Sequence, residues 1–346
     1  MGAILTEFYD WRYVFYMNVP FGIFAFFSIL VTLPAAHTLG QKMDWIGVIA
    51  LIVAVSCLQL VLDRGERLGW FSSSEVIINS VLSATAFYIF VVHCLTTDAP
   101  YVTLKMLMAR NYVIGLFLIF TFGVAVFSSL FILPLFLQNI QGYPVLSAGW
   151  VISSRGVGTM FAMMCSGFLL SIISGKYLIL LGLICVGVSN VWMTQWTADV
   201  NMQEVIYITI VNGFGMGMMW VALTTVTFST LDPVYRVEAA SLFSLIRAIG
   251  ASMGTSIVVS ILVRSTQANY IEMREQITEF KSSLGSMLNG HSFDLKSITD
   301  LRNLESVVMI EAQMVGFLND FVFLVIIAFG AIPFVFMLRG KKPKTD

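Results

Sequence analysis

Three charged side chains fall inside long, strongly apolar stretches, and these are the places where chemistry would sit. Arg247 lies about ten residues into an apolar run at 237–263. Phe243, Arg247, Gly250 and Gly254 recur at helical spacings, so a helix here puts them on one stripe. Arg155 lies at a similar depth in the run 145–171, with Ala148, Gly158, Thr159 and Ala162 along its small-residue face. A charge in an apolar span is costly and faces a cavity or a partner instead of lipid. Each arginine is open to two readings: a substrate or gating contact, or a guanidinium bonded to the carbonyls of a neighbouring helix. Asp320 stands next to Asn319 where the last apolar run begins. A carboxyl there would carry a proton or bind a cationic compound, or else start a helix at the membrane interface, where the dipole favours it. Gln138, Asn139 and Gln141 close the run 111–138 just after Pro134. A proline kink suits a helix that rocks, but the same residues also suit a plain span end.

Soluble-enzyme signatures are missing from the sequence. His37, His93 and His291 are far apart and form no metal-binding pair. No phosphate-binding GxxxxGK[ST] loop occurs. Gly213, Gly215 and Gly217 superficially resemble a dinucleotide loop, but no strand precedes them and they lie inside an apolar run. Close helix packing is their better use, with Gly250 and Gly254 as a second such pair. Cys57, Cys94, Cys165 and Cys185 are isolated in apolar stretches and read as core thiols. With a net charge of −1, nucleic acid is not an expected partner. The chain reads as no enzyme, without metal or cofactor.

The elements that must position these residues are membrane helices. Hydrophobic residues make up 58% of the 346, charged residues 11%, and mean hydropathy is +0.87. No Asp, Glu, Lys or Arg lies between Arg110 and Arg155, between Lys176 and Asp199, or between Glu204 and Asp232. Crossing the hydrocarbon takes about 20 apolar residues as a helix. In lipid the backbone must satisfy itself, so continuous runs are helical. Spans are predicted at 13–34, 44–62, 74–94, 111–138, 145–171, 177–196, 203–231, 237–263 and 320–338. Segment 264–305 reads as a polar outside loop and 306–319 as an amphipathic approach to the last span. Trp70 and Trp196 read as aromatic anchors at the interface. The basic tail Arg339, Lys341, Lys342 and Lys344 is expected in the cytoplasm, which puts the N-terminus outside. An outside N-terminus is odd for a complete transporter.

Several strings together resemble a known family. Residues 1–22 read MGAILTEFYDWRYVFYMNVPFG, and Trp11, Arg12, Phe15, Asn18, Pro20 and Gly22 match a string that follows span five in the fourteen-span drug:proton antiporters. These are the EmrB/QacA-like group of the major facilitator superfamily. Leu223-Thr224-Thr225, Ala239-Ala240-Ser241, Arg247, Gly250, Ser252 and Gly254-Thr255-Ser256 follow the group's late signature in register. Asp44-Trp45-Ile46-Gly47, Leu62-Asp63-Arg64-Gly65-Glu66, Pro134 through Gln138 and Asn319-Asp320-Phe321 also fit. Tyr13 replaces a tryptophan of the first string. Ala222 replaces a proline often found there, so no kink is expected at that point.

The resemblance implies an all-α polytopic membrane protein, a superfamily helical bundle of about nine transmembrane helices. Residues 1–34 would be the tail of span five and span six, 35–110 two extra central spans and a cytoplasmic linker, 111–338 the six-helix C-terminal bundle, and 339–346 a basic tail. The chain would then be a fragment lacking the first five spans. It implies part of a proton-coupled exporter of lipophilic or cationic compounds in the bacterial inner membrane, driven by the proton gradient and inactive as this chain alone. Arg155, Arg247, Asn212 and Trp220 become substrate-cavity candidates, with Thr224 and Gln138, and Asp320 a proton-coupling candidate. In a host with two membranes a periplasmic adaptor and an outer-membrane channel would be partners. The alternative is a membrane scaffold or receptor that docks a partner through 264–305.

Overall fold

The computed structural model of the chain describes residues 2–32, 44–97, 102–276 and 298–338. They form α-helices with short 3-10 turns, and no strand occurs among them. The helices are α1 (Gly2–Phe8), α2 (Arg12–Tyr16), α3 (Asn18–Thr32), α4 (Trp45–Arg64), α5 (Ser74–Thr96) and α6 (Arg110–Asn139). Then come α7 (Val145–Ile172), α8 (Gly175–Met193), α9 (Met202–Phe228), α10 (Arg236–Gln276) and α11 (Ile298–Phe336). Among the described residues nine helical stretches are long and apolar enough to cross a membrane, α2 and α3 counting together as one.

Helix ends fall where side chains can replace lost backbone bonds. The carboxylate of Asp44 caps α4, accepting from the Gly47 amide at 2.9 Å. The side chain of Asn201 caps α9 through the Gln203 amide at 3.0 Å. Lys176 donates to the Phe336 carbonyl at 2.9 Å, placing a cation at the C-terminal end of α11 where the dipole favours it. Helix α6 continues past Pro134 to Asn139.

Helices α6 to α11 pack into one bundle. The strongest pairings are α7 with α9, α8 with α9, α6 with α10, and α11 with α10 and α8. One core cluster gathers Leu118, Ile119, Leu183, Met219 and Val335 at one end. A second gathers Phe136, Trp196, Val205, Phe317 and Phe321 toward the other. Helices α4 and α5 form a separate hairpin that leans on α10. Helix α3 has no buried residue, and α1 touches α7.

Three expectations change. The polar loop at 264–305 is helical at both ends, because α10 continues to Gln276 and α11 starts at Ile298. Residues 264–276 contain no glycine or proline, and polarity ends a span without ending a helix. Segment 306–319 belongs to α11 itself, so Asp320 lies in mid-helix and not at a helix start. Trp196 is only 3% exposed and stacks on Phe136 at 5.4 Å, so it is a core residue and not an interfacial anchor. The basic tail used to orient the chain, the loop residues 277–297, His37 and His291 lie outside the described residues.

Candidate functional site

Small residues set the site by letting backbones touch. The α7–α9 pair closes where Gly213 faces the Arg155 carbonyl and Gly217 faces Thr159 and Ala162. A methyl on Gly213 would run into that carbonyl, so only glycine keeps this spacing. The Thr159 hydroxyl donates across the same seam to the Gly213 carbonyl at 3.0 Å. On the α6–α10 seam, Gly250 faces the Phe120 carbonyl and Gly254 faces Val124 and Ser128. All four packing glycines therefore lie on helix–helix contacts.

These seams aim Arg247 at two rings. Its guanidinium lies 5.8 Å from the centroid of Phe127 on α6 and 5.8 Å from that of Trp220 on α9. Both fall within the reach of a cation–aromatic attraction, about 6 Å. Trp220 rests on Phe122 at 5.4 Å. Arg247, Trp220 and Phe127 are half-buried, so this wall is open on one side. Thr224 is one turn along α9, its hydroxyl donating to the Trp220 carbonyl at 3.1 Å. Gln138 is exposed at the end of α6, eleven residues beyond Phe127, or roughly 16 Å along the axis, and is not part of this group.

Arg155 and Asn212 lie inside the bundle instead. Arg155 is 5% exposed and its Nη2 donates to Ser129 Oγ at 2.7 Å, while Nε and Nη1 have no hydrogen-bond partner among the described residues. Asn212 is fully buried and its Nδ2 donates to Ser189 Oγ at 2.7 Å. Asp320 is fully buried with neither oxygen partnered. The structure thus joins Arg247 with Trp220, and sets Arg155, Asn212 and Asp320 apart from them in the interior. Phe127, Ser129 and Ser189 were missed by sequence reasoning. The Ser128-Ser129 and Ser189-Asn190 pairs, small polar interruptions in long apolar helices, were the available signals.

The hairpin is fastened by the Leu62-Asp63-Arg64-Gly65-Glu66 string. Glu66 accepts from Ser260 at 2.5 Å and from Trp70 Nε1 at 2.6 Å, with Arg264 at 3.5 Å. The Ser260 hydroxyl above all, aided by Trp70 and Arg264, holds this loop carboxyl below the ordinary glutamate value. Asp63 accepts from Ser252 on α10 at 3.3 Å. At the opposite end of the hairpin, His93 meets the Asp44 carboxylate at 2.8 Å and joins the start of α4 to the end of α5.

Comparison with known proteins agrees with this architecture. The chain is 28% identical over 290 residues to the multidrug export protein EmrB of Escherichia coli K12, covering 83% of this chain and 57% of that protein. It is 26% identical to the fatty acid resistance protein FarB of Neisseria gonorrhoeae, over 82% of this chain and 56% of FarB. It is also 26% identical to multidrug resistance protein 3 of Bacillus subtilis, over 83% and 56%. The chain therefore spans little more than half the length of these relatives. Among solved structures, a bacterial homologue of the human lysosomal transporter Spinster, inward-facing and unoccupied, superposes with a TM-score of 0.51 at 13% identity. That match covers 84% of this chain and 66% of the other, and it shows the fold. The family model described as the Major Facilitator Superfamily matches residues 1–255. With its apolar helices, bundle and glycine seams accounted for, the chain is an integral membrane protein that belongs to the major facilitator superfamily.

Proposed function

We propose that this chain forms the C-terminal part of a proton-driven exporter of lipophilic or cationic compounds in the bacterial cytoplasmic membrane, its C-terminus inside. The observation that carries the reading is the placement of Arg247. A half-exposed guanidinium at mid-span would be costly against lipid, so the face it shares with Phe127 and Trp220 meets water or protein. That face is one wall of a central cavity between two bundles that rock about it. The wall pairs one positive charge with the aromatic rings of Phe127 and Trp220. It suits lipophilic aromatic compounds and lipophilic anions, in keeping with a relative named for fatty acid resistance. A cationic substrate would need its carboxylate from the other half. The proton gradient supplies the energy, and in a host with two membranes an adaptor and an outer channel complete the route.

The test is made on the full-length transporter in a pump-deficient host. Arg247→Ala and Trp220→Ala are expected to abolish resistance while protein in the membrane stays at the parental level. Arg247→Lys keeps the charge but loses the planar group, and is expected to retain part of it. Undiminished export by Arg247→Ala overturns the assignment of this wall.

A further inference from the structure

The α8–α9 pair opens at one end into a cavity of about 440 Å³. This is the end of α8 away from Lys176, where the loop 194–201 joins the two helices. The lining changes character with depth. Gln203 and Glu204, in the first turn of α9, stand at the top. Trp192 and Tyr207 form the middle. Ser189 on α8 bonds Asn212 on α9, so Trp192, three residues on, comes level with residues near 209. Val188 and Val211 form the floor. Glu204, Tyr207 and Val211 recur at three and four residues on one face of α9, and Val188 and Trp192 at four on one face of α8. From Glu204 to Val211 is roughly 10 Å along the axis.

The cavity opens toward the bilayer. Helices α7 and α8 both pack on α9 but hardly on each other, which leaves this face of α9 uncovered between them. Tyr207 lies thirteen residues before Trp220, roughly 140° around the helix, and so points away from the wall that Arg247 shares. Trp192 and Tyr207 are 54% and 68% exposed. Charge at this end is of one sign. No Lys or Arg occurs in 111–154 or in 177–235, and Asp199 and Glu204 are the charges where α8 meets α9. Among the described residues the Glu204 carboxylate has no hydrogen bond or ion pair. The Gln203 amide, the Trp192 indole N–H and the Tyr207 hydroxyl have none either.

A free carboxylate beside two open rings, above an apolar floor, is complementary to an ammonium head that carries an acyl chain. The carboxylate and the ring faces attract the ammonium. The Gln203 amide and the Trp192 indole can donate to a phosphate, and the valines continue the apolar path below. An anionic head would meet two carboxylates and no cation. We propose that this cavity is a binding site for phosphatidylethanolamine, its ammonium paired with Glu204 beside Trp192 and Tyr207, and an acyl chain lying along Val188 and Val211.

The site depends on the chain lying in a bilayer and not on export. The whole chain, and separately the full-length transporter, is titrated in detergent with phosphatidylethanolamine or phosphatidylglycerol carrying brominated acyl chains, while tryptophan fluorescence is followed. The part of the signal lost in Trp192→Phe isolates Trp192. Its quenching is expected at a mole fraction of phosphatidylethanolamine several-fold below that of phosphatidylglycerol. Glu204→Gln is expected to bring the two lipids together while its thermal unfolding midpoint stays at the parental value. Equal quenching by both lipids in the parent, or an undiminished preference in Glu204→Gln, overturns the proposal. So does displacement of phosphatidylethanolamine by an equal mole fraction of tetraphenylphosphonium, which would give the cavity to lipophilic cations. A preference seen in the chain but absent from the full-length transporter would show that protein covers the cavity, and overturns it as well.

Discussion

Glu66 shows how a single loop carboxyl can govern a docking contact. It receives Ser260, Trp70 and Arg264 together, and these hold its carboxyl below the ordinary glutamate range. A group whose folded value is lowered contributes fully above its unfolded value, about 4.3, and that contribution fades as pH falls through the folded value. A spin-label distance between α5 and α10 is therefore expected to stay fixed near neutral pH and to broaden in acid below the ordinary glutamate value. Glu66→Gln should be broad already at neutral pH and lack the acid step. An unchanged distance in acid would mean that apolar contacts alone hold the hairpin. Residue types were readable in advance, partners were not. Arg247 shares its stripe with Gly250 and Gly254, as the helical spacing says, but Phe127 and Trp220 reach it from other helices, which no spacing along α10 encodes. Asp320 looked interfacial because Glu311 and Gln313 precede it. It is buried because α11 extends the span back past both of them.

At the scale of elements the glycine seams decide how close helices come. Gly213→Val puts branched carbons against the Arg155 carbonyl and forces α7 away from α9. Overpacking of this kind costs about 1–3 kcal/mol. Thermal unfolding in detergent should show a clearly lowered midpoint. Gly156→Val, on the same α7 but facing open space, should change little. Equal losses at the two positions would show that helix propensity, and not the seam, sets the cost. The spans were legible because hydrocarbon demands long charge-free helices, and their inner limits fall within a few residues of expectation. Helix ends beyond the membrane were not, since residues such as Glu272, Arg274 and Glu275 continue α10 by propensity after the apolar run has stopped. Trp196 was misplaced for a related reason. An indole at a span end suits either an interface or a core, and here Phe136 and Phe321 claim it.

On the whole-molecule scale the chain covers 57% of the EmrB it matches, and α3 has apolar faces with no buried residue. Alternating access needs two bundles, whereas the described residues assemble one. Residues 1–346 produced alone in a pump-deficient host are expected to confer no resistance. Restored resistance without a full-length copy would refute the two-bundle requirement for this protein.

Helix α11 packs on α6, α8 and α10 at once, yet it leaves the ribosome after all of them. During biosynthesis the five earlier bundle helices must wait in the bilayer around a vacant seat, with Phe136, Trp196 and Ser265 lacking the partners that Phe321 and Asn319 bring. Insertion of α11 is then the step that closes the bundle, and a nascent chain stalled before it would leave three helix faces without their partner.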